Sequence, residues 1–329
     1  MKTPGNEDET VKKELEKIQR LTWDYRACRI LQTAVLLKIF TRLDEKAQNC
    51  GQLSSLCRAK PQMLEKVLVA CAAMGLVKKE GPLYRNTKTA AHYLVEGKLL
   101  YQGNIIAHSA RVWRFWDNLP DEISEKPLPA DNDQTHRDFI LGMHNIAMAG
   151  RAELFIKSID LTGRKRMFDL GGGPGTYSIF ACKKYPKLEA VVFDLPQTID
   201  ITKQIIKREK LQNRIRTQPG NWETDDFGKN YDVVLMSNIL HGPDSSALMK
   251  LQKARACLVQ GGLLVIQEFI LNSSKTGPLI PALFNVMVGA YSKKELFAAV
   301  RQAGFSNLKL VVEDKHSGGS WITAEKRQP

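Results

Sequence analysis

The stretch MFDLGGGPGTYS, Met167 to Ser178, constrains this chain more than any other. A short apolar run with one acid, Asp169, breaks into Gly171, Gly172, Gly173 and Gly175, and a helix-compatible segment starts near Thr176. A strand that breaks into glycines and re-forms as a helix is the turn of a nucleotide site. Glycine takes positive φ and lets a ligand approach the main chain. The N–H groups of such a turn then hold a carboxylate or phosphate. A dinucleotide fingerprint needs its third glycine three residues after the second, and that position is Thr176. The glycines stand instead at Gly171, Gly173 and Gly175, behind Asp169. A glycine turn without a ligand and a dehydrogenase are the rivals at this point.

From Lys165 onward, apolar strand-like runs alternate with helical periodicity. Strands are predicted at 166–170, 190–194, 215–218, 231–236, 262–268, 308–312 and 321–324. Helices are predicted at 176–185, 198–211, 246–258 and 292–303. Five strands with crossover helices and a closing pair make an α/β, Rossmann-like doubly wound sheet with an antiparallel edge. Ligands on such a sheet bind beyond the carboxyl ends of the strands. Asp194, in VVFDLP, follows the second strand, where a carboxylate accepts both ribose hydroxyls of an adenosine; Leu195 stands beside it. After the third strand come Asn221, able to bond an adenine edge, and Trp222, a stacking face. The fourth leads through Ser237, in SNILHGPDS, to His241, a candidate catalytic base. The fifth ends in Glu268, which orients a histidine, bonds a substrate hydroxyl, or is a strand-end surface acid. His92, His108, His136 and His316 have no such placement.

The N-terminal half is helical. Disorder is expected over 1–10, a charged helix over 11–20, and a helical apolar stripe over 21–43 that includes Ile30, Leu31, Ala34 and Val35. A short helix is expected over 49–56. Pro61 opens another that Gly75 stops, and 76–85 reads as a hairpin. This is a winged-helix order. The stretch MLEKVLVACAAMG is apolar in its middle and poor in base-reading side chains, which favours packing or dimerisation over DNA binding. Residues 98–116 read as helix, with Trp113, Phe115 and Trp116 as core or dimer contacts. Residues 117–134 read as a proline-bearing loop and 139–159 as one helix. The expected domains are a winged-helix dimerisation domain over 1–97, bridging helices lining a substrate pocket over 98–160, and the nucleotide-binding domain over 161–329.

Composition bounds the partners. Net charge is +13, from 48 Lys and Arg against 35 Asp and Glu, spread in short pieces. A solvated basic surface is expected, rather than a nucleic-acid footprint. No apolar run approaches the ~20 residues of a membrane helix, so no membrane partner is expected. The polar N-terminus MKTPGNEDETVKKELEK is no secretory signal. Six scattered cysteines without a Cys-x-x-Cys pair fit reduced thiols in a cytoplasmic protein, with no metal site.

The spacing Asp169-x-Gly171-x-Gly173-x-Gly175 resembles motif I of the class I S-adenosylmethionine-dependent methyltransferases. With VVFDLP, GNW, VVLMSNILHGPDS, GGLLVIQEF and AGF, nearly the whole chain resembles the plant caffeate and acetylserotonin type O-methyltransferases and their bacterial relatives. The resemblance implies S-adenosylmethionine as methyl donor, S-adenosylhomocysteine as product, no metal, and a homodimer. It implies that Asp169, Gly171, Gly173, Gly175, Asp194, Leu195, Asn221, Trp222 and Ser237 serve the cofactor. Asn221 stands where the family has an acid, keeping the hydrogen bonding without the charge. The resemblance also implies His241 as general base and Met143 as a substrate contact, and Glu268 joins His241 as the second candidate catalytic residue. Phe139, His144, Phe284 and Met287 then join an apolar pocket for a small aromatic substrate. The plant pattern His-Asp-Trp is His241-Gly242-Pro243 here. The implied reaction moves a methyl group to a hydroxyl, with a phenol as the expected acceptor. Carbon, nitrogen or sulfur acceptors, non-methylating chemistry, and a cofactor-sensing DNA-binding regulator stay open as alternatives.

Overall fold

In the computed structural model the apolar runs from Arg166 onward pair into one sheet. Residues 7–125, 132–243, 245–313 and 319–327 are described. The main strands are β1 Arg166–Leu170, β2 Glu189–Asp194, β3 Ile215–Pro219, β4 Tyr231–Ser237, β5 Leu258–Leu271, β6 Ser306–Glu313 and β7 Gly319–Glu325, with a two-residue strand Tyr291–Ser292 paired to β5. Their order is β3-β2-β1-β4-β5-β7-β6, parallel from β3 to β5, with β7 antiparallel to both neighbours. The helices of this unit are α1 Asn132–Ile146, α2 Ala152–Ser158, α3 Thr176–Lys184, α4 Pro196–Arg208, α5 Ala247–Cys257 and α6 Lys293–Gln302.

Side chains alternate between two cores. Phe168, Phe193, Val234, Met236 and Ile266 face one; Met167, Val192, Val233, Leu235 and Val265 face the other. Helices cover both faces, so the inner parallel strands are apolar at most positions, whereas the edge strand β3 is largely polar. Phe168 anchors β1, with ring centroids 5.7 Å from Phe193, 5.4 Å from Phe227 and 4.9 Å from Tyr231. Burying one such side chain contributes about 1.5–3 kcal/mol. Strand β1 lies between β2 and β4, where the strand order reverses. That reversal opens a crevice at the carboxyl ends.

The other unit comprises Met1–Pro129 together with Leu271–Met287, and the sheet unit comprises Ala130–Ile270 and Val288–Pro329. Helices Glu7–Leu36, Ile39–Glu45, Cys50–Cys57 and Pro61–Ala73 precede the hairpin Val77–Glu80 and Leu83–Asn86, giving the expected winged-helix order. The two-residue strand Gln48–Asn49 joins that hairpin. Asn49 and Gln52 form a capping box on Cys50–Cys57. Helix Pro61–Ala73 buries Leu64, Val67 and Leu68 and packs against Leu279–Met287 of the same unit. A helix covered by its own chain is poorly placed to enter a DNA groove.

Some boundaries depart from the sequence reading. The disorder expected over 1–10 gives way to helix at Glu7, and residues 1–6 lie outside the described residues. The two expected N-terminal helices merge into Glu7–Leu36, which no glycine or proline interrupts, but the stripe expected over 21–43 breaks at Lys38, φ 56°, before Ile39–Glu45. Residues 98–116 hold two short helices, Gly103–Arg111 and Trp113–Asp117, and Leu119–Ile123 adds a turn to the expected loop. Pro127, Pro129 and His316 lie outside the described residues. Phe115 and Trp116 are 55% and 62% exposed, so they are not core. The helix expected over 139–159 starts earlier, at Asn132, and is interrupted at Ala147–Arg151 by Gly150 at φ 113°. The unit boundary before Ala130 also divides the expected bridging segment.

Candidate active site

The glycine turn leaves β1 and is tied at once to β2. Gly171 N donates to the Phe193 carbonyl at 2.8 Å. Both oxygens of Asp194 grip main chain, Oδ2 accepting from Gly173 N at 2.8 Å and Oδ1 from Leu195 N at 2.7 Å. Gly171, Gly173 and Gly175 take φ of 64°, 52° and 72°. A Cβ on Gly171 would lie 2.7 Å from Ile239, and one on Gly172 would lie 2.7 Å from Asp169. A Cβ on Gly173 would meet nothing within 4 Å. Gly173 therefore borders open space, a cavity of about 270 Å³. Its walls include Asp169, Gly171, Asp194, Leu195, Trp222, Ser237 and His241, with Phe139 and Met143 from α1.

Asp169 is fully buried, and its pKa is pushed up to about 7 by that burial. Its Oδ2 accepts from Ser178 Oγ at 2.7 Å, while Oδ1 has no partner. Such an orphaned oxygen at a cavity wall awaits a donor. Arg151 lies on the same wall, only 7% exposed, its guanidinium 5.6 Å from the Phe269 ring centroid. The sequence reading missed it by drawing one unbroken helix. The available signal was Gly150 inside a helical pattern, which marks a kink and re-aims the next residue. His136, which nothing in the sequence marks, also lines the cavity, with Nε2 3.1 Å from Thr198 Oγ1.

His241 takes a left-handed φ of 55° in the loop after β4. Glu268 holds this loop by its backbone. Its Oε1 accepts from Leu240 N at 2.9 Å and from His241 N at 3.1 Å, and its Oε2 from Phe269 N at 3.2 Å. It is 2% exposed, with its pKa pushed up to about 7 by burial. The surface-acid reading of Glu268 is thus overturned, and its bonds go to main chain rather than to the imidazole. His241 lines the cavity, and its buried Nδ1 has no hydrogen-bond partner. Burial first, and the Lys250 charge second, lower its pKa below 6.5.

The glycine after it has a physical cause. A Cβ on Gly242 would stand 2.9 Å from Gly289 Cα. Two backbones touch there, and the family's aspartate has no room. Gly242→Asp is expected to destabilise the protein by ~1–3 kcal/mol, read as a lower Tm in thermal unfolding. An unchanged Tm would show that the loop repacks freely.

His144 was expected in the substrate pocket but does not line it. Its Nδ1 lies 2.7 Å from Thr176 Oγ1 and its Nε2 3.1 Å from Arg208 Nη2. Arginine only donates, so Nε2 accepts and Nδ1 carries the proton. His144 therefore braces the first residue of α3. Burial, then the Arg208 charge, lower its pKa from 6.5, with Glu209 opposing. The unfolded chain binds that proton more readily, so the contribution to stability is complete above pH 6.5 and lost as pH falls through the folded pKa. Tm measured from pH 8 to 5 should fall in acid, and His144→Gln should flatten that slope. An unaltered slope would remove His144 from this role.

Asn221 also lies outside the cavity walls, its Oδ1 accepting from Glu223 N at 2.9 Å to cap a turn. Gly175 faces Thr202 and Val192 and opens α3 rather than touching the cavity. Ser237 lines it while its Oγ donates to Gln267 Oε1 at 2.9 Å. Phe284 and Met287 belong to the first unit, where Phe284 meets Trp23 edge-on at 6.2 Å. Among the described residues there is no cluster of three metal-ligating side chains and no helix long and apolar enough to cross a membrane.

Comparison with known proteins agrees with this architecture. Residues 127–306 match the model of the O-methyltransferase domain, and residues 20–96 match that of the O-methyltransferase dimerisation domain. The chain is 32% identical over 265 residues to a 3-hydroxy-5-methyl-1-naphthoate 3-O-methyltransferase of Streptomyces sahachiroi, covering 75% of this chain and 76% of the relative. It is 23% identical over 307 residues to an N,N-dimethyltransferase of Streptomyces rimosus, covering 87% and 89%. The fold matches an O-methyltransferase family 2 protein of Planctomyces limnophilus, solved in complex with apigenin, with a TM-score of 0.79 at 23% identity, covering 95% and 96%. The chain belongs to the S-adenosylmethionine-dependent O-methyltransferase family, with that family's dimerisation domain ahead of its catalytic domain.

Proposed function

We propose that this protein methylates a phenolic hydroxyl of a small planar aromatic molecule, with His241 as the general base. One observation carries the reading. The His241 imidazole, its Nδ1 unpartnered, lies on the wall of the cavity that also holds the glycine turn and Asp194. The cavity fits S-adenosylmethionine. The open face at Gly173 admits a ligand to the main chain, Asp194 offers a carboxylate to ribose hydroxyls, and Trp222 offers a face to adenine. Arg151 and the orphaned oxygen of Asp169 match the opposite charges of an amino-acid end. When bound, S-adenosylmethionine supplies an electrophilic methyl group on a sulfonium.

The chain's own work is alignment and proton removal. Phe139 and Met143 give the acceptor an apolar wall. A phenol with pKa ~10 is protonated at neutral pH, and a neutral imidazole takes that proton as the oxygen attacks. The likeness to a hydroxynaphthoate 3-O-methyltransferase supports an aromatic hydroxyl as acceptor. A nitrogen acceptor is the second reading, favoured by the likeness to an N,N-dimethyltransferase. A homodimer built on residues 20–96, and a cytoplasmic protein whose six cysteines are all free, complete the proposal.

Calorimetry with S-adenosylhomocysteine, labelled-methyl transfer to phenols and arylamines, and light scattering test it. Binding, label on phenols and a mass twice 37.0 kDa are expected. Label on amines alone would move the assignment to nitrogen. Folded protein that binds no S-adenosylhomocysteine would sink both readings.

A further inference from the structure

Beneath the His241 loop lies a charged side chain that none of these roles uses. Lys250, on α5, is 5% exposed. A buried ammonium is unfavourable unless it is paired and hydrogen-bonded. Its Nζ donates to the Ile239 carbonyl at 2.7 Å, two residues before His241. It also sits 4.5 Å from the centroid of the Trp222 ring, within cation–π range. Glu268 supplies the compensating charge and is the largest influence holding the ammonium form against its desolvation. Three consecutive backbone groups are thereby fixed, the Ile239 carbonyl by the cation and the Leu240 and His241 N–H groups by the carboxylate. One turn further along the same helix, Lys253 also supports this tryptophan, its Nζ donating to the Trp222 carbonyl at 2.6 Å.

We propose that Lys250 is a positioning residue whose buried ammonium ties the Trp222 platform of the cofactor site to the backbone of the His241 loop. The proposal deepens the methyltransferase reading and rests on it for the roles of Trp222 and His241. Lys250 does not line the cavity. It acts by fixing where the imidazole sits, and by its charge beside the imidazole, which disfavours the protonated ring. Of the charged groups around the loop, Lys250 acts on the imidazole, while Glu268 bonds the Leu240 and His241 backbone N–H groups.

The test combines kinetics with an NMR titration of the His241 ring, assigned by its loss in His241→Gln. In Lys250→Met the His241 pKa should rise towards 6.5 and kcat should fall roughly 10- to 100-fold, as for a displaced catalytic group, with a smaller change in KM for S-adenosylmethionine. Lys250→Arg keeps the charge and should retain the wild-type titration. Lys250→Gln keeps a donor for Ile239 without the charge and serves if the methionine variant does not fold. A purely structural lysine would lower Tm and leave the His241 titration unmoved, which would overturn the proposal. The titration needs no turnover. If Lys250→Met shifts the His241 titration as expected while the wild-type protein transfers no methyl group, that would count against the reaction assigned above and still support the role of Lys250.

Discussion

His241→Ala should lower kcat by ~100- to 10,000-fold, the usual worth of a positioned general base, while leaving S-adenosylhomocysteine affinity unchanged. Its backbone N–H stays on Glu268, so the loop has no reason to move. The residual rate should rise steadily with pH, because the phenolate that the base normally generates becomes more populated towards the phenol pKa of ~10. The wild type should behave differently. Burial and the Lys250 charge lower the His241 pKa, so its neutral form persists below pH 6.5 and activity is lost only as pH falls through that lowered value. A more acidic phenol should narrow the gap between variant and wild type, since it needs less help to ionise. Wild-type turnover in the alanine variant would sink the assignment of His241.

How much of this was legible in the residues depended on burial. Strand β1 stands at the boundaries its sequence predicts, and β2, β3 and β4 come within a residue; β1, β2 and β4 read as apolar runs because both faces of the sheet are covered, while the polar edge strand β3, IRTQP, is placed by its position between helix and loop. The glycine turn was equally plain, since only glycine occupies three left-handed positions in five residues at no strain. Side-chain partners were not legible. Glu268 ends an apolar strand in sequence, but whether its carboxylate meets water or the Leu240 and His241 amides is decided by where the loop folds back. His144 looks like a pocket residue beside Met143, yet a helix turns neighbours about 100° apart, and the turn aims it at Thr176 and Arg208. Arg151 enters the cavity wall because Gly150 breaks the helix one residue earlier, and periodicity drawn through that glycine aims it wrongly. Lys250 reads as an ordinary helix-surface lysine until Trp222 and Ile239 are seen around it.

Asp194→Ala should weaken S-adenosylhomocysteine binding by ~100-fold or more, from two charge-assisted hydrogen bonds at about 1.5–3 kcal/mol each and 1.4 kcal/mol per tenfold in Kd. Two effects act together. The carboxylate already receives Gly173 N–H on one oxygen and Leu195 N–H on the other, so it stands oriented at the cavity wall before any ligand arrives. Each oxygen keeps a further lone pair for a ribose hydroxyl. Alanine removes these acceptors and also releases the turn at Gly173, whose open face admits the ligand. Asp194→Asn separates the two. Its single oxygen can hold one of the two N–H groups, while its amide donor meets the other unfavourably, so binding should weaken nearly as much with less disturbance of the turn. In thermal unfolding both variants should stay close to the wild-type Tm without ligand, because the bonds lost lie at a partly solvated rim. Both should then lose most of the stabilisation that S-adenosylhomocysteine gives the wild type, since that stabilisation scales with ligand concentration over Kd. An alanine variant that binds as tightly as the wild type would leave Asp194 as a brace for the glycine turn alone, and the ribose contact would have to come from elsewhere on the cavity wall.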